Sequence, residues 1–326
     1  MKAYWVRTED GRTVFEPRDT PPPVAGPGQI LLRVRAAGLN RGELIVGGAM
    51  HHRSGKVGGT EAAGEVHAVG PDVTDWKAGQ RVMGRVLGPD RGGFAEYTLM
   101  QVHQAMKIPE HLSFEQAAAI PVSFLAAYDA VVAYGKLQSG DWMLVTAAPS
   151  AVGSCAVQLG ILLGAHVVGI SGSAAKLERL KAIGMQQGIV TRSPDFADAV
   201  RKMSGKGIDL AVNCVGGTLF GECMRSLGYG GRLATVGYVD GSYKAEIDLQ
   251  ALHSNRQIVF GISNSKAGET GHAATARGFI RDILPAFNDG RIAPLVDRIF
   301  DLDELAAAKD YMESNAQVGK IVVSVA

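Results

Sequence analysis

Cysteine is scarce in this chain: Cys155, Cys214 and Cys223 are the only three in 326 residues. None stands in a C-x-x-C pair, and an odd, sparse set cannot build a disulfide framework, so a reducing compartment is expected. An excess of charge of one sign is also missing. Lysine and arginine number 33 against 32 aspartates and glutamates, a net charge of +1, which gives no electrostatic case for nucleic acid or a membrane surface as partner. No apolar run is long enough to span a bilayer, since the greasiest, ILLGAHVVGI, is broken by glycine and histidine. The opening MKAYWVRTED lacks the apolar stretch of a signal peptide. Together these absences lead to the expectation of a cytoplasmic protein whose partner is a small molecule.

What the chain does have is 42 glycines and an apolar share of 46%, the texture of a glycine-punctuated globular protein. Its length exceeds what one hydrophobic core usually organises, so two domains are expected. The first 120 or so residues carry short valine-rich runs (ILLRVRAAG, EAAGEVHAVG, FAEYTLM) between turn signals such as PPPVAGPGQ and GPDRGG, the pattern of a β-rich domain. From residue 123 the rhythm changes. Short apolar strands (DWMLVTAA, HVVGISGS, GIVTR, GIDLAVNCVG, GRLATVGY, QIVFGIS) alternate with helical stretches such as VGSCAVQLGILLG and AAKLERLKAIG. That alternation predicts βαβ units and a doubly wound parallel sheet, the Rossmann arrangement. The boundaries fall at 1–122 with 292–326 for the β-rich domain, its tail returning to pack on the first domain, and at 123–291 for the α/β domain.

The stretch VTAAPSAVGS joins the first α/β strand to its helix, the context of a dinucleotide-phosphate loop. In the register of G-x-G-x-x-G it reads Ala148, Pro149, Ser150, Ala151, Val152, Gly153. Ala148 and Ser150 are small enough for the tight turn and the close approach to pyrophosphate, and Gly153 keeps the close helix–strand packing. The helix N-terminus offers unpaired N–H groups to a phosphate. An NAD site usually places an acid about 20 residues on, at the end of the second strand. Here that end reads GISGSAAK, with Ser171, Gly172, Ser173 and Lys176 and no carboxylate before Glu178. Arg192, after the third strand, closes the other side. Two cations and two hydroxyls suit a 2′-phosphate, so NADPH is the expected cofactor.

At this point the chain resembles the zinc-independent quinone oxidoreductases, the zeta-crystallin-like group of the medium-chain dehydrogenase/reductase superfamily. The resemblance runs the length of the chain, through AGPGQILLRVRAAGLNRGEL, GTEAAGEVHAVG, GGFAEYTLM, the phosphate loop, VGGTLFGECMRSLGYGGRLATVGY and the terminal GKIVVSV. It implies a GroES-like β-rich catalytic domain beside the Rossmann domain. It also implies cofactor contacts at Val215 and Gly216, at Gly237 and Tyr238, and at Ile262 and Ser263, all at strand ends; Lys320 of the terminal motif joins this set. Zinc-dependent relatives place metal ligands where this chain has Asn40, Thr60 and, nearby, Val122. Their four-cysteine lobe has no counterpart between Arg85 and Gly93. Zinc needs cysteine, histidine or carboxylate ligands, so no metal is expected, and the adjacent His51 and His52 read as an exposed loop rather than as ligands. Two departures from the group stand out: Ala126 where threonine is frequent near the reactive end of the cofactor, and Thr191 where relatives that grip a 2′-phosphate often have tyrosine. The group also implies a homodimer joined through the QIVFGIS edge strand.

Without a metal, only hydrogen bonds remain to stabilise an oxyanion, which suits acceptors whose charge delocalises: quinones and α,β-unsaturated carbonyls. Asn40 is the first candidate donor, or else it caps its local turn. Glu43 stands nearby in a supporting role. His51 matches a position that is commonly tyrosine in the group, where it would polarise a carbonyl or simply sit exposed. Two alternatives stay open: an enoyl-thioester reductase, and a non-catalytic NADPH-binding protein of crystallin or sensor type. The first commonly needs a tyrosine proton donor in the first domain, where only Tyr4 and Tyr97 occur before residue 120.

Overall fold

A computed structural model of the chain describes residues 1–46, 55–88, 91–263 and 266–326. The chain divides into two compact units, Met1–Val122 with Asn264–Ala326, and Ser123–Ser263.

The first unit begins with a hairpin, β1 (Lys2–Glu9) and β2 (Arg12–Asp19). Asp10 and Gly11 both take positive φ, 47° and 72°, the two-residue turn whose twist matches the flanking strands. Strands β3 (Gln29–Leu39), β4 (Lys56–Val57), β5 (Glu61–Val69), β6 (Arg81–Arg85), β7 (Tyr97–Gln101) and β8 (Ala105–Lys107) follow. The second unit holds β9 (Trp142–Val145), β10 (His166–Ser171), β11 (Gln187–Val190), β12 (Ile208–Asn213), β13 (Leu227–Thr235) and β14 (Ile258–Gly261), and the chain then returns to the first unit for β15 (Val296–Asp301) and β16 (Lys320–Ser324).

In the first unit one sheet runs β2-β1-β4, and a seven-stranded sheet runs β15-β16-β3-β5-β6-β8 with β7 also on β3. The long β3 is the organiser: it pairs antiparallel with β5, β7 and β16. Alternation along these strands turns Tyr4, Val6, Ile30, Leu32, Val34, Val66, Ile321 and Val323 into one core. The helix Gly268–Asp282 packs against the turn Val102–Gln104 of this unit. The sequence pattern runs the α/β domain on to residue 291, whereas by contact the second unit ends at Ser263. Helical periodicity identifies a helix but not the sheet it packs on.

The second unit is a six-stranded parallel sheet of order β11-β10-β9-β12-β13-β14. That order reverses direction between β9 and β12, the doubly wound arrangement expected, and ligands bind at the carboxyl ends of such strands near the reversal. Leu144, Val168, Ile170, Ala211, Leu233 and helix residues Leu219, Phe220 and Cys223 share its core, as both faces of a parallel sheet must be covered. Among the described residues no helix is long and apolar enough to cross a membrane.

Candidate active site

At the reversal of strand order, two polar residues tie β9 to β12. Thr146 Oγ1 donates to Asn213 Oδ1 at 3.0 Å and accepts from the Cys214 N–H at 3.0 Å. Asn213 Oδ1 also accepts from the N–H groups of Val215 (3.0 Å) and Gly216 (3.2 Å), while its amide donates to the Gly216 carbonyl at 2.8 Å. Asn213 and Thr146 are fully buried. This clamp fixes the course of Val215 and Gly216, two of the expected cofactor contacts. In the sequence, the signal for Thr146 and Asn213 is a polar residue closing each of two apolar strands.

The phosphate loop opens the helix Ala151–Leu162, whose N-cap is Ser150 with its Oγ accepting from the Gly153 N–H at 3.1 Å. Pro149 and Ser150 precede the helix, and Ala151, Val152 and Gly153 form its first turn. A Cβ on Gly153 would lie 2.5 Å from the Ala147 carbonyl oxygen and 2.8 Å from that of Ala148, so what this glycine permits is the close approach of the helix's first turn to the loop before it. The tight-turn role falls one residue earlier than the fingerprint register suggested: Ala147, not Ala148, takes the left-handed conformation, with φ of 45°. Its methyl group is small enough for a cost of about 1 kcal/mol.

The end of β10 carries the residues expected to meet a 2′-phosphate. Ser173 caps the helix Ala174–Lys181, its Oγ accepting from the Lys176 N–H at 3.4 Å, and its own N–H donates to Ser171 Oγ at 3.2 Å. Both hydroxyls accept in these bonds and keep their protons to donate. Arg192 lies across Gly172: a Cβ there would be 2.4 Å from its Nε. Gly172 is therefore the residue that lets the guanidinium reach the end of β10 from β11. Arg192 has no ion-pair partner among the described residues. Beyond the reversal, Gly237 passes 3.3 Å from the Cys214 carbonyl oxygen at its virtual Cβ, Tyr238 is half exposed, and Ile262, followed by Ser263, donates its N–H to Thr235 at 2.8 Å.

A second constellation lies in the first unit, where the chain bends from β3 into a short turn at Arg41–Glu43 and from β4 into β5. Asn40, Glu43, Thr60, Glu61 and Lys320 are all buried there. The Lys320 ammonium pairs with Glu61 Oε1 and donates to Asn40 Oδ1 at 2.6 Å. The Asn40 amide nitrogen faces Glu61 Oε1 at 2.9 Å, Thr60 Oγ1 at 3.2 Å and the Gly38 carbonyl at 3.4 Å. Glu61 Oε2 accepts the Val122 N–H at 2.7 Å. Glu43 Oε1 accepts from the Thr60 N–H (2.7 Å) and hydroxyl (2.5 Å), and Glu43 Oε2 from the Asn40 N–H at 3.3 Å. Burial pushes the Glu43 carboxyl up from its ordinary range, against the Thr60 hydroxyl and the Lys320 charge; the neighbouring Glu61 charge adds to the rise.

This geometry revises two expectations. Both protons of the Asn40 amide and its oxygen have partners inside the unit, so Asn40 holds the network together instead of offering a free donor. Lys320, expected at the cofactor, is enclosed with Glu61 and Asn40. Glu43 is placed as the supporting group expected of it, anchoring Thr60 and Asn40. His51 and His52 fall outside the described residues. Of the positions that hold zinc ligands in metal-dependent relatives, Asn40 and Val122 donate to Glu61, and Thr60 bonds Asn40 and Glu43. An amide, a hydroxyl and an apolar side chain do not make a zinc site, and among the described residues no three His, Cys, Asp or Glu side chains are grouped to hold a metal.

Comparison with known proteins gives a consistent picture. The alcohol dehydrogenase GroES-like domain matches residues 26–110 and the zinc-binding dehydrogenase domain matches 151–276. The human synaptic vesicle membrane protein VAT-1 homolog is 32% identical over 325 residues, covering 95% of this chain and 82% of that protein. Quinone oxidoreductase-like protein 2 of Bos taurus is 29% identical over 310 residues, covering 94% and 87%. Among solved structures, mycobacterial Rv1454c complexed with NADPH superposes with a TM-score of 0.88 at 25% identity over the whole of both chains. The CurK enoyl reductase superposes with a TM-score of 0.82 at 26% identity, covering 98% of each.

Proposed function

The chain belongs to the zinc-independent quinone oxidoreductase group of the medium-chain dehydrogenase/reductase superfamily, and from that premise we propose an NADPH-dependent reductase of quinones or α,β-unsaturated carbonyls. The observation that carries the cofactor choice is the end of β10. It has no carboxylate to meet a ribose 2′-hydroxyl, Arg192 crosses Gly172 between Ser171 and Ser173, and Lys176 stands in the first turn of the next helix. A carboxylate there would repel a 2′-phosphate, whereas this set neutralises it and supplies hydroxyl donors. The Gly153 cradle and the N-terminus of the helix Ala151–Leu162 fit the pyrophosphate. NADPH, when bound, supplies the hydride.

The protein's own work is binding and orientation. Thr146 and Asn213 hold Val215 and Gly216 at the carboxyl end of the sheet, and the Asn40–Glu61–Lys320 network fixes the ends of β3, β5 and β16 relative to one another. One acceptor takes up one hydride and one proton from solvent, giving a hydroquinone or a saturated carbonyl. The name of one matching domain notwithstanding, the donor set at Asn40, Thr60 and Val122 does not fit zinc, so no step passes through a metal.

The likeness to the CurK enoyl reductase supports enoyl thioesters as a second reading. Against it, Tyr4 is 7% exposed with its hydroxyl donating to Asp303 at 3.0 Å, and Tyr97 packs edge-on to His67; neither phenol is poised as a proton donor. We also propose that two copies pair through β14, an edge strand of the parallel sheet whose Ile258 is 53% exposed. The deciding experiment is NADPH oxidation in chelator against an ortho-quinone, a small enone and an enoyl thioester. Turnover of the first two supports the proposal, turnover confined to the thioester selects the second reading, and tight NADPH binding without turnover rejects both in favour of a non-catalytic role.

A further inference from the structure

Large exposed aromatic side chains on an otherwise rigid backbone are the informative kind of exposure. In the second unit Tyr238 is 48% and Tyr243 71% exposed, and their rings face each other at 5.0 Å between centroids and 60° between planes. Their segment follows the carboxyl end of β13 and has no regular secondary structure between Thr235 and Leu249, yet it is firmly held. Asp240 Oδ2 accepts from the N–H and hydroxyl of Thr218 at 2.9 and 2.6 Å, and Asp240 Oδ1 accepts from the Ser242 N–H at 2.9 Å. The Ser242 carbonyl takes the Gly217 N–H at 3.0 Å, the Val215 carbonyl takes the Asp240 N–H at 3.2 Å, and the Tyr238 carbonyl takes the Gly241 N–H at 3.1 Å. One carboxylate thus pins the turn between the two tyrosines onto the first residues of the helix Gly217–Ser226, while the rings themselves stay in solvent.

We propose that Tyr238 and Tyr243 form a preorganised aromatic platform that selects planar aromatic acceptors over aliphatic ones. The inference rests on the reductase reading above and deepens it by naming the acceptor class. Three features carry it. The pair follows the carboxyl end of β13, an interior strand of the parallel sheet, the side of the sheet where ligands bind. Its backbone is fixed before any ligand arrives, so little ordering is lost on binding. Tilted rings with open faces suit stacking of a third ring, a gain that corresponds to about a tenfold preference.

The test compares wild type with Tyr243→Leu and with Asp240→Ala, which frees the turn. The readout is the ratio of kcat/KM for 9,10-phenanthrenequinone to that for a small aliphatic enone, with NADPH saturating, together with direct binding of 2-naphthol, which accepts no hydride. The ratio is expected to fall about tenfold in both variants, with a parallel loss of 2-naphthol affinity. An unchanged ratio and unchanged 2-naphthol binding would overturn the platform. So would a Tyr243→Leu protein that loses its oligomeric state while keeping the ratio, since the pair would then be a contact between copies. If wild type reduces neither acceptor, the reductase reading fails, and 2-naphthol binding still decides the platform.

Discussion

Replacing Lys320 by methionine removes a cation that is 3% exposed from a carboxylate, Glu61, that is fully buried. The volume is nearly kept, so the effect is electrostatic. Glu61 retains two donors, the Asn40 amide at 2.9 Å and the Val122 N–H at 2.7 Å, but the Asn40 oxygen loses its 2.6 Å partner. Breaking a buried pair from one side costs about 3–5 kcal/mol, and the two surviving donors place Lys320→Met at roughly the lower end, about 3 kcal/mol. Glu61→Gln combined with Lys320→Met removes both charges and leaves an acceptor for Val122. It should recover at least about 1.5 kcal/mol of that loss, a coupling outside the additivity of independent sites. Urea denaturation of the four proteins of this cycle provides the numbers. A single-mutant cost below about 1 kcal/mol, the range of exposed pairs, would refute the reasoning, as would a double mutant no more stable than the sum of the two singles.

Three further outcomes are expected. Burial holds the Glu43 carboxyl above its ordinary value, so the folded state binds its proton more tightly than the unfolded chain does. Stability tied to that proton is fully present below the unfolded value near pH 4 and is lost as pH rises through the higher folded value; Glu43→Gln should flatten this decline above about pH 4 in denaturation curves, whatever its effect on the absolute level. Gly153→Ala forces a Cβ to within 2.5 Å of the Ala147 oxygen, and is expected to destabilise by about 1–3 kcal/mol and to weaken NADPH binding at least about tenfold by fluorescence titration. Deletion of the exposed edge at β14 by Ile258→Lys should shift a dimer to monomers in light scattering, and a dimer that persists would contradict pairing through that strand.

The alternation of strand and helix was legible because each element of the second unit announces itself locally. Continuous apolar runs mark β9, β10 and β12, and Ser150 and Ser173 cap the helices that follow them. The grouping of Ser171, Ser173 and Lys176 was legible for the same reason, since they follow one another from the end of β10 into the next helix, and only Arg192 had to be carried across from the next strand. What the residues did not disclose is non-local. Lys320 meets Asn40 and Glu61 only because β16 pairs with β3, far apart in the chain, so a terminal lysine that reads as a cofactor contact is instead the countercharge of a buried glutamate. Asn40 read as a donor awaiting substrate because its partners come from three separate segments. The turn at Ala147 was placed one residue late, since alanines at 147 and 148 are indistinguishable until the backbone is seen. The helix Gly268–Asp282 has the right period and gives no hint of which unit it joins.

The most direct test is the specificity for NADPH over NADH, measured as kcat/KM with 9,10-phenanthrenequinone in chelator, for wild type and Arg192→Gln side by side. A charged hydrogen bond to the 2′-phosphate is worth about 1.5–3 kcal/mol. We therefore predict that wild type prefers NADPH by more than about tenfold and that the substitution erases most of that preference by slowing NADPH alone. A wild-type enzyme that favours NADH, or an Arg192→Gln enzyme that keeps the wild-type preference, would contradict it.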